Sequence, residues 1–302
     1  MEHNFKLVFL ISTHTDVLQL ARLICALPDN STFFIHLDKK TDIKPIAEAF
    51  VGDSRVKFIE HRVDVRWGSI NEVEYQMELV RAALNSGEQF ERMITLSGMD
   101  YPVWSKKKIT EFFEKDKEKE YLAGIDVSYP WHASAIYQQY FFNVAKPGGG
   151  WKYYVTRALG RTLRMLGIKK PLQKKIGNKT FKLYKGAAWW AITPRLASVI
   201  LHEWDTNTEL KNWLKYCMCP AELFAQTIAF NNEEWREKCM FNNANYSLPM
   251  HTPLTYVTWK NEEIKVLDEE DYDIIMRSGK MFARKIMSGK SDRLVEMIDA
   301  NK

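Results

Sequence analysis

The chain has 302 residues, a formal net charge of +5, and 46% hydrophobic and 13% aromatic content, which is ample for the core of a globular protein. No run approaches the roughly 20 apolar residues of a membrane span. The four cysteines, Cys25, Cys217, Cys219 and Cys239, lack the paired spacing of a zinc site.

Taken in chain order, Lys6 to Ser12 is a β-rich apolar run, and Asp16 to Leu27 has helical spacing through Val17, Leu20, Leu23, Ile24 and Leu27. Ser31 to Leu37 is strand-like, Ile43 to Phe50 a short helix, Arg55 to Ile59 a strand, Ile70 to Leu84 a helix and Arg92 to Leu96 a strand. Strands alternating with helices imply a mainly parallel sheet of nucleotide-binding type. Beyond Pro102 the pattern predicts a helix over Lys107 to Lys115 and a strand over Glu120 to Asp126, then aromatic, loop-rich sequence to Lys152. Tyr184 to Ile192 reads as a strand, Pro194 to Glu203 and Ala221 to Asn231 as helices, Tyr256 to Trp259 as a strand and Glu269 to Met276 as a helix. With no repeat or linker, residues 1–302 are expected to form one domain, with a nucleotide-binding half (1–103) and a second half (104–302).

Charge is unevenly spread. Arg157, Arg161, Arg164, Lys169, Lys170, Lys174, Lys175, Lys179, Lys182 and Lys185 fall in one window without an acidic residue. Val155, Leu159, Leu163 and Leu166 recur there at helical spacing, so an amphipathic basic helix of the kind that lies on anionic lipid is one reading, and a solvated helix face is the other. Nucleic acid is not an expected partner, because no binding motif accompanies the basic content.

Several polar residues end apolar runs. Ser97 and Asp100 follow a buried strand in Leu96-Ser97-Gly98-Met99-Asp100, where open α/β sheets bind ligands. His14 and Asp38 each sit just beyond another strand-like run, in Ser12-Thr13-His14 and His36-Leu37-Asp38. Glu222, in Cys219-Pro220-Ala221-Glu222, stands at a helix start; from residues alone an acidic residue placed there by the helix dipole suffices as its explanation. Arg284 and Lys285 suit a diphosphate, one as a planar fork and one as a point charge, although adjacent basic residues are commonly solvated surface.

These blocks, together with Arg66-Trp67-Gly68, closely resemble the Core-2/I-branching glycosyltransferase family, which includes branching N-acetylglucosaminyltransferases and peptide O-xylosyltransferases. The resemblance runs from the His14 turn to the Phe282 block. It implies a GT-A-like (Rossmann-like) α/β glycosyltransferase fold, a mainly parallel central sheet flanked by helices. It further implies Glu222 as catalytic base and His14, Asp38, Arg66, Trp67, Gly68, Lys265, Arg284 and Lys285 as the nucleotide-sugar pocket. Ser97, Asp100, Trp189 and Trp190 fall on the acceptor side, one tryptophan expected in the core and one near the site. Two departures stand out: Ala221 replaces the aspartate usual before the base, and Ala123 falls where the branching enzymes place an acceptor-binding glutamate.

The resemblance implies no metal. The chain's one Asp-x-Asp triplet, Asp271-Tyr272-Asp273, lies in a helix-like pattern rather than after a strand, and reads as an exposed helix face. The expected function is inverting transfer of a sugar, GlcNAc or xylose, from a UDP-sugar to a hydroxyl of a glycan or lipid-linked glycan, forming a β-linkage in surface polysaccharide synthesis. The alternatives are a non-catalytic nucleotide-sugar or glycan-binding protein and a metal-dependent GT-A transferase. Phe5 to Thr13 is too short and strand-like for a secretory signal. The expected location is therefore the cytoplasm, on the inner face of the membrane if the basic segment docks there. The cysteines are then reduced, and the sequons at Asn30, Asn178 and Asn245 unused.

Overall fold

The computed structural model describes residues 5–128, 134–142, 150–241, 252–261 and 263–302. The sequon at Asn245 and parts of the aromatic stretch before Lys152 lie outside them. Strand β1 (Leu7–Thr13), helix α1 (Val17–Ala26), β2 (Thr32–Leu37), α2 (Lys44–Glu48), β3 (Val56–Phe58), α3 (Asn71–Leu84) and β4 (Arg92–Ser97) alternate as the hydrophobic pattern requires. The four strands are parallel, in the order β4-β1-β2-β3. Side chains of β1 alternate between two cores: Val8 and Leu10 pack with Val73, Met77 and Val80 of α3, while Leu7, Phe9 and Ile11 pack with Leu20, Leu23 and Ile24 of α1. Burial on both faces is why these strands are continuously apolar.

The remainder contains β5 (Asp100–Pro102), α4 (Lys106–Lys115), β6 (Ala123–Asp126), α5 (Ser134–Tyr137), α6 (Trp151–Met165), β7 (Gln173–Ile176), β8 (Lys179–Lys182), β9 (Tyr184–Lys185) and β10 (Ala191–Ile192). There follow α7 (Pro194–Thr206), α8 (Thr208–Leu214), α9 (Phe224–Phe230), α10 (Glu233–Lys238), β11 (Met240–Phe241), β12 (Thr255–Val257), the two-stranded β13 (Trp259–Lys260) and β14 (Glu263–Ile264), and β15 (Phe282–Arg284). β10 returns to the main sheet as an antiparallel edge beside β4. β5 pairs antiparallel with β15, setting Asp100 opposite Arg284, and β12 flanks β15. No helix of the described residues is long and apolar enough to cross a membrane.

Three segments depart from the sequence pattern. The expected strand over Tyr184–Ile192 is broken after Lys185. At Gly186 a Cβ would fall 2.0 Å from the Ala123 carbonyl oxygen, and side chains take over the backbone bonding beyond it: Gln226 Nε2 donates to the Ala187 carbonyl at 2.8 Å, and the Trp190 N–H donates to Thr95 Oγ1 at 2.8 Å. The expected helix over Ala221–Asn231 is a 3-10 turn, Pro220–Glu222, followed by α9. The Asp271-Tyr272-Asp273 triplet is likewise no uniform exposed face, since Asp271 is buried at the end of a 3-10 turn and closes a capping box with Asp268.

Candidate active site

The register of the parallel sheet brings the ends of three strands together. Ser12 of β1 lies opposite His36 of β2 and Ser97 of β4, so the residues that follow them emerge along one edge. The Asp38 N–H bonds the Thr13 carbonyl at 3.1 Å, and the Gly98 N–H bonds the Ser12 carbonyl at 2.9 Å. Gly98 is required there because a Cβ would meet Thr13 Oγ1 at 2.5 Å.

On this edge the turn after β2 is tied to the loop before α3. Lys40 Nζ reaches Asp38 at 3.0 Å, Asp64 at 2.7 Å and the Val65 carbonyl at 2.6 Å. Arg62 donates to the Asp38 carbonyl at 2.8 Å. Buried His36 accepts the Val63 N–H at 2.9 Å through Nε2, and burial lowers its pKa to about 4. Arg66 and Trp67 stand exposed on this loop, and Gly68 turns the chain at φ +69°. His14 shares an electrostatic neighbourhood with Asp38, Lys40, Arg284 and Lys285; desolvation depresses its pKa, Asp38 opposes that, and the three cations add to it.

Arg284 is positioned from beneath. Its guanidinium donates to Asp100 at 2.8 Å and lies 4.9 Å over the Trp189 ring. Asp100 also accepts the Ser97 N–H at 2.7 Å. The side chain of Asp100 is fully buried, so it supports Arg284 and cannot reach an acceptor; burial raises its pKa, with Arg284 opposing. Trp190 is corrected for the same reason, because it is a core residue with 1% exposure, leaving Trp189 as the half-exposed member of the pair. Lys265 is next to Lys285 through the backbone, the Lys285 N–H reaching the Lys265 carbonyl at 3.4 Å. Its ammonium, however, is bound to Asp271 at 2.7 and 2.8 Å, so Lys265 offers a phosphate little net charge.

A second wall carries the carboxylates. Glu222 closes the 3-10 turn, its carbonyl accepts the Gly186 N–H at 2.9 Å, and its carboxylate lies 3.3 Å from Lys185 Nζ. Lys185 thus leaves the basic window to which its sequence position assigned it. Lys170 leaves it too: it is buried and donates to the Trp213 carbonyl at 2.6 Å.

Two residues of this wall were not singled out in the sequence. Glu72, in the first turn of α3, accepts the Gly68 N–H, and burial, with Glu222 adding to it, raises its pKa to about 8. Tyr75, one turn on, stacks on His36 at 5.0 Å between centroids and bonds Ser12. Glu72, Arg284 and Asp100 all lie close enough to act on it electrostatically. The spacing of Glu72 from Gly68 was the available signal, but α3 also carries Glu74 and Glu78, which hide it. Among the described residues no group of three or more His, Cys, Asp or Glu is placed to hold a metal ion.

Polar and charged side chains gathered at the carboxyl edge of a mainly parallel sheet define an α/β protein whose candidate ligand-binding residues lie where such folds bind their ligands. The family model for the Core-2/I-branching enzyme matches residues 7–275, and the chain belongs to that family. Among curated relatives, a xylosyltransferase of Ciona intestinalis is 20% identical over 67% of this chain and 22% of its own length. A mouse N-acetyllactosaminide beta-1,6-N-acetylglucosaminyl-transferase is 22% identical over 75% of this chain and 53% of its own length. The chain therefore spans about half the second relative and less than a quarter of the first. Among solved structures, mouse xyloside xylosyltransferase 1 superposes with a TM-score of 0.35 at 11% identity, covering 92% of this chain and 96% of that one.

Proposed function

We infer that this chain is a metal-independent, inverting glycosyltransferase of GT-A type that moves a sugar, GlcNAc or xylose, from a UDP-sugar to a hydroxyl of a glycan acceptor. One observation carries the reading: the turns of His14 and Asp38 are bonded together at one edge of the parallel sheet, within electrostatic reach of the Arg284 that Asp100 and Trp189 hold in place.

In the proposed reaction His14 and Asp38 hold the nucleoside, and Arg66, Trp67 and Gly68 border the sugar. Glu222 takes the proton of the acceptor hydroxyl as its oxygen forms a bond to the anomeric carbon. The bond from that carbon to the diphosphate oxygen breaks, its electron pair leaves with UDP, and Arg284 and Lys285 stabilise the growing charge. Attack opposite an α-linked leaving group yields a β-glycoside. Arg284 suits the role because Asp100 and Trp189 fix its plane and its buried Nε has no hydrogen-bond partner among the described residues. The proposed setting is the cytoplasmic face of a membrane bearing a lipid-linked glycan for surface polysaccharide.

The test is a screen of UDP-sugars for binding, donor hydrolysis and transfer, run on the native chain and on Glu222→Gln. Turnover of one donor that the variant loses while still binding UDP supports the reading. Binding without turnover in the native chain would make it a nucleotide-sugar-binding protein instead.

A further inference from the structure

Helix α6 is mounted with its apolar side outward. Viewed down its axis, Trp151, Tyr154, Val155, Leu159, Met165 and Leu166 share one arc and all are exposed, with Trp151 at 69%, Met165 at 84% and Leu166 at 71%. The opposite arc meets the protein through other residues. Gly160 is buried where a Cβ would fall 2.3 Å from the Tyr140 carbonyl oxygen, and the Arg157 guanidinium lies 5.7 Å from the centre of the Phe141 ring. An amphipathic helix of a globular protein ordinarily turns its apolar stripe toward the core. Scattered exposed apolar residues are ordinary, but with Ile168 just beyond the helix this segment holds seven of the thirteen large apolar side chains exposed among the described residues.

The surroundings identify the occupant by charge. Lys152 and Arg161 flank the arc, and the chain continues through Lys169 into the hairpin β7–β8. There Lys175, Lys179 and Lys182 are exposed while Ile176 and Phe181 anchor the hairpin inward. No acidic residue occurs between Asp126 and Glu203. Two copies of so basic a segment would repel each other. A surface that accepts Trp, Leu and Met while presenting negative charge is a leaflet of anionic lipid, on which such helices lie in the interfacial plane.

We propose that α6 and the hairpin after it form a peripheral membrane-docking surface, the helix lying in the headgroup region of an anionic leaflet. The surface is independent of the proposed chemistry, since it uses no residue of the cleft.

Flotation of the full chain with vesicles of phosphatidylcholine, with and without phosphatidylglycerol, tests it. Binding is expected to the anionic vesicles at low salt and to weaken as salt rises, because exposed charges are screened over about 8 Å at physiological ionic strength. Leu159→Asp with Met165→Asp should abolish binding without changing UDP affinity, since both positions are exposed. A second variant, Lys175→Gln with Lys179→Gln, should weaken binding about fivefold per cation removed. Equal binding to neutral vesicles, full binding by the Leu159→Asp and Met165→Asp variant, or a lipid-free dimer that this variant dissociates would each overturn the proposal.

Discussion

Asp100 and Arg284, 184 residues apart in sequence, are joined by a 2.8 Å ion pair. β5 and β15 set them opposite each other, so the cation proposed to meet the diphosphate is aimed by the sheet and by a carboxylate that solvent does not reach.

Replacing Arg284 should therefore harm folding as well as binding. In Arg284→Gln the buried Asp100 loses its counter-charge, a change that typically costs roughly 3–5 kcal/mol. The deficit should grow from acid to neutral pH, because the lone carboxyl is protonated in acid. Adding Asp100→Asn should recover part of the stability and none of the UDP affinity. Urea unfolding at several pH values and UDP titration measure the two effects; unchanged UDP affinity in Arg284→Gln would remove it from the donor pocket.

Glu222→Gln should lower transfer by about 10² to 10⁴-fold with little change in UDP affinity, the range for loss of a general base. Lys185, 3.3 Å away, is expected to hold the carboxylate in place. Lys185→Met should then reduce kcat more than it alters the donor KM, and Lys185→Arg should restore part of the rate. Equal rates in Lys185→Met and the native chain would limit the pair to a surface contact.

Glu72 gives a pH test. Its ordinary pKa of 4.5 is raised to about 8 in the folded chain, so across that interval the native state holds a proton that the unfolded state has released. Stability from this group is complete at low pH and declines as pH rises from about 4.5 to about 8. Glu72→Gln should lack this decline, so its advantage over the native chain in urea midpoint should be larger at about pH 9 than at about pH 5. Parallel curves for the two proteins would show that Glu72 ionises normally.

Chelation separates the proposed leaving-group chemistry from a metal-assisted one. EDTA should leave turnover unchanged if Arg284 and Lys285 carry the diphosphate charge. Loss of activity restored by manganese would contradict that assignment.

The first half was legible because strand and helix periods differ, and because a parallel sheet buried on both faces writes long apolar runs such as those of β1 and β2. His14 and Asp38 stand just past those runs, but position alone did not separate them from ordinary surface residues; the family resemblance singled them out. What could not be read was which polar side chain is spent on another. Lys265 and Asp271 neutralise each other, Lys185 belongs to Glu222, and Asp100 lies below the surface it was expected to line, since pairings across the fold leave no periodic mark. Local geometry failed where side chains replaced backbone partners, as Gln226 and Thr95 do between Lys185 and Ala191. The helix at α6 was visible as a period, but its outward orientation depends on the small Gly160 fitting against Tyr140.

The antiparallel edge strand β10 has a mechanical consequence. Thr95 of β4 is stitched to Trp190 by backbone and hydroxyl contacts of 2.9 and 2.8 Å, and the chain reaches that point directly from Trp189, which lies against Arg284. The segment that leads from Lys185 into β10 is thus fixed to β4, so Trp189 and the guanidinium beside it are anchored to the main sheet.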